Sequence, residues 1–204
     1  MGAVEEPLRD ATGAEYAERL ESLAGARWKR WLDVQAPYRW HLRQLRLGRV
    51  LDVGCGIGRN LLHLGGSGVG VDPNRDAVER ARLRGLVAYT PEAFAAAPEA
   101  ILAGFDALLC AHVVEHMTFP EAAGLLRSYL PYVRSGGRVV LITPQEAGFR
   151  SDPTHVERFD FARLAALLTE LGLAAERSYS FPLPRLAGRL FPHNEFVALA
   201  RKTG

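Results

Sequence analysis

Three residues near the middle of the chain, His112, Glu115 and His116, bring reactive side chains together at i, i+3 and i+4. On a helix that spacing shares one face. Two imidazoles and a carboxylate on one face can hold a divalent ion, move a proton, or cap a helix and brace a neighbouring loop. A second group follows between Thr143 and Glu157, where Glu146, Asp152 and His155 can face the same cavity. His155, with an ordinary imidazole pKa near neutral, suits a base. With Asp152 it can also complete an ion site with Glu115 and His116. Asp152 before Pro153 equally suits a surface Asx turn. Glu146 reads as a surface residue.

The segment Val50-Leu-Asp-Val-Gly-Cys-Gly-Ile-Gly-Arg-Asn60 carries different chemistry. An apolar run ends in Gly54, Gly56 and Gly58, and a helix begins just after. Glycine allows a tight turn and close approach of a ligand to the backbone. The spacing is GxGxG, with Arg59 where a dinucleotide fingerprint has its third glycine. Asp52 at the strand end would repel a diphosphate and attract an ammonium. Asp72 ends the next apolar run, where a carboxylate can accept both hydroxyls of a ribose.

The elements that must position these residues alternate. Helices are expected over Ala14–Trp31 and from Pro37 to about Leu45. Strands are expected at 49–53, 68–72, 86–90, 105–111, 138–143, 174–181 and 195–200. Between them, helices are expected at Asn60–Leu64, through Ala77, Val78 and Ala81, at Glu92–Leu102, and from the capping box Thr118-Phe-Pro-Glu121 to Gly136-Gly137. A loop of about 16 residues precedes a helix near Asp160, and loops of that length are usually functional. Such alternation implies an open parallel sheet covered on both faces, with ligands at the carboxyl ends of its strands.

In this order the segments resemble class I S-adenosylmethionine-dependent methyltransferases. Val50–Asn60 is similar to their first motif and Gly68-Val-Gly-Val-Asp-Pro73 to their second. Phe105–His116 is similar to the fourth-strand motif, and Leu130–Val140 to the stretch before strand five. The resemblance spans about Arg49 to Arg201. It implies an α/β fold: a Rossmann-like, doubly wound, mostly parallel seven-stranded sheet with an antiparallel last strand and helices on both faces. It further implies that S-adenosyl-L-methionine is held by Gly54, Cys55, Gly56 and Gly58 at its methionine end. Asp52, Asn60 and Cys110 belong to the same set. Asp72 would hold the ribose, Pro73 would flank the adenine, and Glu92 and Ala93 would stand near its amine. At that last point Pro91 replaces the family's usual lead-in, and its glycine is absent.

Ala111-His-Val-Val-Glu-His116 also resembles the metal-binding helix of ubiquinone-pathway O-methyltransferases, where two glutamates and a histidine take these positions. Here His112 replaces the first glutamate, which turns the preference from magnesium toward softer divalent cations. The implied ion set is His112, Glu115, His116, Asp152 and His155. The loop from Pro144 through Asp152 to His155 resembles that of small-molecule and sugar methyltransferases, in which the histidine faces the acceptor. The implied activity is O-methylation of a small hydroxylated molecule, such as a sugar or polysaccharide precursor, with His155, His116 and Glu115 catalytic and a divalent ion assisting. The alternative is metal-independent methylation of carbon or nitrogen in a small metabolite.

Bulk properties narrow the classes. The chain has 204 residues, enough for one domain with a sizeable core. The expectation is one domain over 1–204, with 1–46 a helical cap over the acceptor pocket and 47–204 the cofactor core. Trp28, Trp31, Tyr38, Arg39 and Trp40 crowd that cap, as pocket wall or as core. The Pro-rich stretch from Pro182 to Pro192, with Arg185 and Arg189, is a second candidate wall. The net charge of +2 gives no global pull toward nucleic acid, and the Asn/Asp-Pro-Pro-aromatic run of amino-methylating nucleic-acid enzymes is replaced by Cys110-Ala-His112. Two cysteines do not make a disulfide framework. No apolar run reaches the roughly 20 residues of a membrane span, and the acidic start lacks a signal-peptide layout. The expected setting is cytoplasmic, with no nucleic-acid or membrane partner and with a homodimer left open.

Overall fold

A computed structural model describes residues 35–203. The helix expected over Ala14–Trp31, and with it Trp28 and Trp31, lies outside the described residues. Helix α1 spans Ala36–Gln44, with Pro37 in its first turn as the sequence requires. Seven strands follow: β1 Val50–Val53, β2 Gly68–Val71, β3 Ala88–Tyr89, β4 Phe105–Ala111, β5 Val133–Pro144, β6 Leu173–Phe181 and β7 Glu195–Lys202. Between them run α2 Arg59–His63, α3 Arg75–Leu83, α4 Pro91–Ala95, α5 Phe119–Tyr129, α6 Glu146–Arg150 and α7 Phe161–Glu170.

The strands form one sheet in the order β3-β2-β1-β4-β5-β7-β6. β1 to β5 pair in parallel, and β7 runs antiparallel between β5 and β6. Alternation along each strand divides the core in two. Leu108 and Cys110 of β4, with Val139 and Leu141 of β5, pack under α5 and α7. Ala107, Leu109 and Ala111, with Val140 and Ile142, face the other side, under Leu42 of α1. The helices thus cover both faces, as a central parallel sheet requires.

Local chemistry sets most boundaries. The capping box starts α5: the Thr118 N–H donates to Glu121 Oε2 at 2.7 Å. Asp160 starts α7 by accepting from the Arg163 N–H at 3.1 Å. Three expectations change. The helix after β3 ends at Ala95 rather than Leu102. α5 stops at Tyr129, because Pro131 follows in a separate 3-10 turn, and Gly136-Gly137 lie inside β5. The long loop after β5 contains α6 and is tied down where Thr143 Oγ1 donates to the Phe159 carbonyl at 2.7 Å. Among the described residues no helix is long and apolar enough to cross a membrane.

Candidate active site

The carboxyl ends of β1, β2 and β4 converge on the glycine turn. Gly54 and Gly56 adopt φ of 76° and 51°, the left-handed region that glycine enters without strain. A methyl group at Gly54 would lie 2.2 Å from Cγ2 of Val113, so the turn and the segment after β4 touch at that point. Asp72, buried just beyond β2, fastens the turn from the other side. Its Oδ2 accepts from the Gly56 N–H at 2.7 Å and its Oδ1 from the Asn74 N–H at 2.9 Å. Burial raises the Asp72 pKa, against the two amide donors.

Asp52 lies beneath this turn with no solvent exposure. Burial pushes its carboxyl up to about 7, with Asn60 pulling the other way and Asp72 adding to the rise. Although Asn60 faces it, neither Asp52 oxygen completes a hydrogen bond of normal geometry. A buried carboxylate left this way is costly unless a cation or donor arrives.

Two expected cofactor residues turn their side chains elsewhere. Cys55 points away from the cleft and packs with Leu61, Val78 and Leu86, its sulfur filling the space beside Gly70. Cys110 is buried in the main core under α5. Burial holds both thiols well above their ordinary pKa, so neither offers a thiolate. Only their backbone can line a ligand. Pro73 is exposed just past β2, and Glu92 and Ala93 are exposed on α4 just past β3.

The reactive cluster after β4 is built differently from the expected helix face. His112 breaks the chain direction with φ 59°, and only Val114–His116 forms a single 3-10 turn. The i, i+3, i+4 helix therefore does not form. Instead, His112 Nε2 lies 2.9 Å from Glu195 Oε1 and its Nδ1 lies 3.3 Å from Glu115 Oε1. Burial alone would lower the His112 pKa; the two carboxylates overcome this and raise it to about 10. The ring is walled by protein yet 48% exposed, because its open side faces the cleft.

Glu115 is fully buried. Its carboxylate, His116 and His155 each offer a ligand atom within 4.8 Å of the others. The His155 Nδ1–H donates to the Phe149 carbonyl at 2.7 Å, which leaves Nε2 as its free lone pair. His116 Nδ1 reaches the Thr154 carbonyl at 3.3 Å in the same manner. The backbone carbonyl of Glu115 accepts from Val156 and Glu157, docking the 152–157 segment onto the 3-10 turn. Three of the five expected ion ligands thus come together. His112 stands apart because both ring nitrogens face carboxylates. Asp152 accepts from the N–H and hydroxyl of Thr154, an Asx turn. Glu146 pairs with Arg185 and takes no part.

Sequence reasoning missed Glu195, His41 and Tyr179. Because β7 is antiparallel, its first residue, Glu195, falls at the edge where the parallel strands end. His41 of α1 stacks on Phe181 at 4.1 Å and shares a hydrogen bond with Tyr179. A cavity of about 30 Å³ lies among Tyr38, His41, Asn60, Ala111, His112 and Glu195. The signal available was strand order: an inserted antiparallel strand places its amino end at the site.

The sequence profile described as a methyltransferase domain matches residues 16–196, most of the chain. The chain belongs to this methyltransferase family. Solved structures share its fold. An S-adenosylmethionine-dependent methyltransferase from Archaeoglobus fulgidus superposes with a TM-score of 0.67 at 20% identity, covering 92% of this chain and 99% of its own. Magnesium protoporphyrin IX methyltransferase from Synechocystis with bound SAH gives 0.66 at 16% identity, covering 96% and 98%. A methyltransferase in complex with the Trm112 activator from Haloferax volcanii gives 0.68 at 16% identity, covering 93% and 95%. No curated protein sequence matches the chain. In this methyltransferase the glycine turn, Asp52 and Asp72 stand at the ends of β1 and β2, while His112, Glu115, His116 and His155 follow β4 and β5 and Glu195 opens β7.

Proposed function

We propose that this methyltransferase takes its methyl group from S-adenosylmethionine and transfers it to a hydroxyl oxygen of a small molecule. One observation carries the donor half. Asp52 is a fully buried carboxylate without a completed hydrogen bond, beneath a turn of left-handed glycines. An ammonium answers that charge, and a diphosphate would be repelled by it. Asp72 keeps lone pairs on both oxygens for the ribose hydroxyls. Bound S-adenosylmethionine supplies a methyl group on a sulfonium, ready for in-line attack. The protein's part is to orient the acceptor and receive its proton.

The acceptor half rests on the acid and imidazole side chains gathered after β4. A hydroxyl nucleophile must lose a proton, and the acids and imidazoles gathered after β4 and at the start of β7 are the groups able to receive it. Tyr38, beside the small cavity at Glu195, offers an aromatic ring to the apolar face of a sugar, and a carbohydrate is the narrower form of this proposal. Calorimetry with S-adenosylhomocysteine tests the donor, and absence of binding defeats the whole reading. Tritiated donor with hydroxyl, amine and carbon-nucleophile probes tests the acceptor. N- or C-methyl products without O-methyl products would replace it by the metal-independent alternative.

A second reading adds a divalent ion. Glu115, His116 and His155 would hold it, with the Phe149 and Thr154 carbonyls orienting the two imidazoles. Two imidazoles favour zinc, iron, copper or nickel over magnesium. A bound ion would lower the pKa of an acceptor hydroxyl. Turnover unchanged by chelator, with no metal retained after dialysis, removes this reading and leaves the first intact.

A further inference from the structure

We propose that Glu195 is the group that takes the acceptor's proton during methyl transfer. This deepens the O-methylation reading and rests on it. The argument begins with His112, which follows β4 directly and faces the cleft. Its two ring nitrogens point at carboxylates, Nδ1 toward Glu115 and Nε2 toward Glu195. Nε2 hydrogen-bonds with Glu195 at 2.9 Å and Nδ1 stands 3.3 Å from Glu115, so both ring nitrogens are turned toward protein carboxylates rather than offered to an acceptor molecule. His112 is therefore a positioning residue, holding Glu195 against the end of β4.

Glu195 is 8% exposed, and it borders the small cavity with Tyr38, His41, Asn60, Ala111 and His112. Its Oε1 meets His112, while Oε2 makes no hydrogen bond to a described residue. The cavity, about 30 Å³, has room for a group the size of a hydroxyl. It joins the cofactor half through Asn60, which faces Asp52.

The backbone around Glu195 is fixed. Its carbonyl accepts from Gln145 Nε2 at 2.8 Å, and Gln145 Nε2 also donates to Ser180 Oγ at 2.6 Å. The neighbouring Asn194 Nδ2 donates to Gln145 Oε1 and Ser180 Oγ at 3.1 and 3.0 Å. A fully bonded buried network of this kind sets a carboxylate's position closely.

Charge and atoms balance. As the acceptor oxygen bonds to the methyl carbon, the carbon–sulfur bond's electron pair stays with sulfur. The hydroxyl proton passes to Glu195 Oε2 and then to solvent. Sulfur ends neutral, and release of the proton to solvent returns Glu195 to its starting state. The groups facing Glu195 are His112 with Glu115 behind it, Tyr38 and His41 from α1, and Tyr179 from β6.

The test uses the full chain, tritiated S-adenosylmethionine, and methyl glucoside, glucuronate and catechol as hydroxyl probes. Glu195→Gln should lower kcat by about 10²-fold or more, with donor KM and S-adenosylhomocysteine affinity unchanged. Glu195→Asp should restore part of the rate. O-methyl product formed by Glu195→Gln at the wild-type kcat overturns the proposal alone. If Gln does not fold, Glu195→Asp decides: full kcat overturns, partial loss supports. Donor binding without O-methylation of any probe overturns the hydroxyl reading and this role with it.

Discussion

The backbone N–H of Gly56 donates to the Asp72 carboxylate across 2.7 Å, joining residues sixteen positions apart. The glycine turn after β1 and the end of β2 are thereby locked into one cradle. The residue proposed to hold the ribose is also the one that shapes the turn.

Asp72→Ala should therefore weaken S-adenosylhomocysteine binding by at least about tenfold, since a charged hydrogen-bonding group is lost. It should also lower the melting temperature, because the Gly56 and Asn74 amides lose their acceptor. Calorimetry and a thermal melt read the two effects. Affinity equal to wild type would contradict the ribose role.

Asp52 makes donor binding depend on pH. Its folded carboxyl is raised to about 7, far above the unfolded value of 3.8. Such a group contributes its stability below the unfolded pKa and loses it as pH rises through the folded one. The loss, between about pH 4 and 7, is at most about 4 kcal/mol. An ammonium ligand favours the ionised form, so binding should release a proton at pH 6. Affinity should weaken by up to about tenfold per unit below pH 7. Calorimetry in two buffers of different ionisation heat measures the proton, and Asp52→Asn should abolish it.

His41 has the opposite sense. Burial, and then the Arg177 charge, depress its pKa to about 4, against 6.5 for the free group. Its stabilising contribution is complete above pH 6.5 and disappears as pH falls from 6.5 to 4, since the unfolded chain takes up the proton first. The effect is up to about 3 kcal/mol. Urea midpoints at pH 7 and 4.5 should differ less in His41→Gln than in wild type. An equal difference would refute the assignment.

Gly188→Ala tests the network behind Glu195. An added Cβ would sit 1.7 Å from Gln145 Oε1, so either the 3-10 turn Arg185–Arg189 or Gln145 must move. A stability loss of about 1–3 kcal/mol is expected in urea unfolding. An unchanged midpoint would mean that this segment is not packed as described.

The glycine turn and the two acids around it were legible because they are local. Gly54, Gly56, Asp52 and Asp72 stand on two strand–turn segments whose glycines and acids announce their own geometry. The capping box at Thr118 was legible for the same reason. Cys55 and Cys110 show that a motif position specifies a backbone location: packing of the turn sends the Cys55 side chain, and strand alternation the Cys110 side chain, into the core.

By itself, the chain's pattern of glycines, acids and alternating apolar runs determined the doubly wound sheet and the turn held between Gly56 and Asp72. The tertiary structure alone decided what surrounds His112. Helical spacing joined His112 to His116, but the left-handed turn at His112 separated them and gave His112 to Glu195 instead. That partner lies 83 residues away. It arrives only because β7 inserts antiparallel between β5 and β6, and strand order is fixed by long-range pairing that no local spacing encodes.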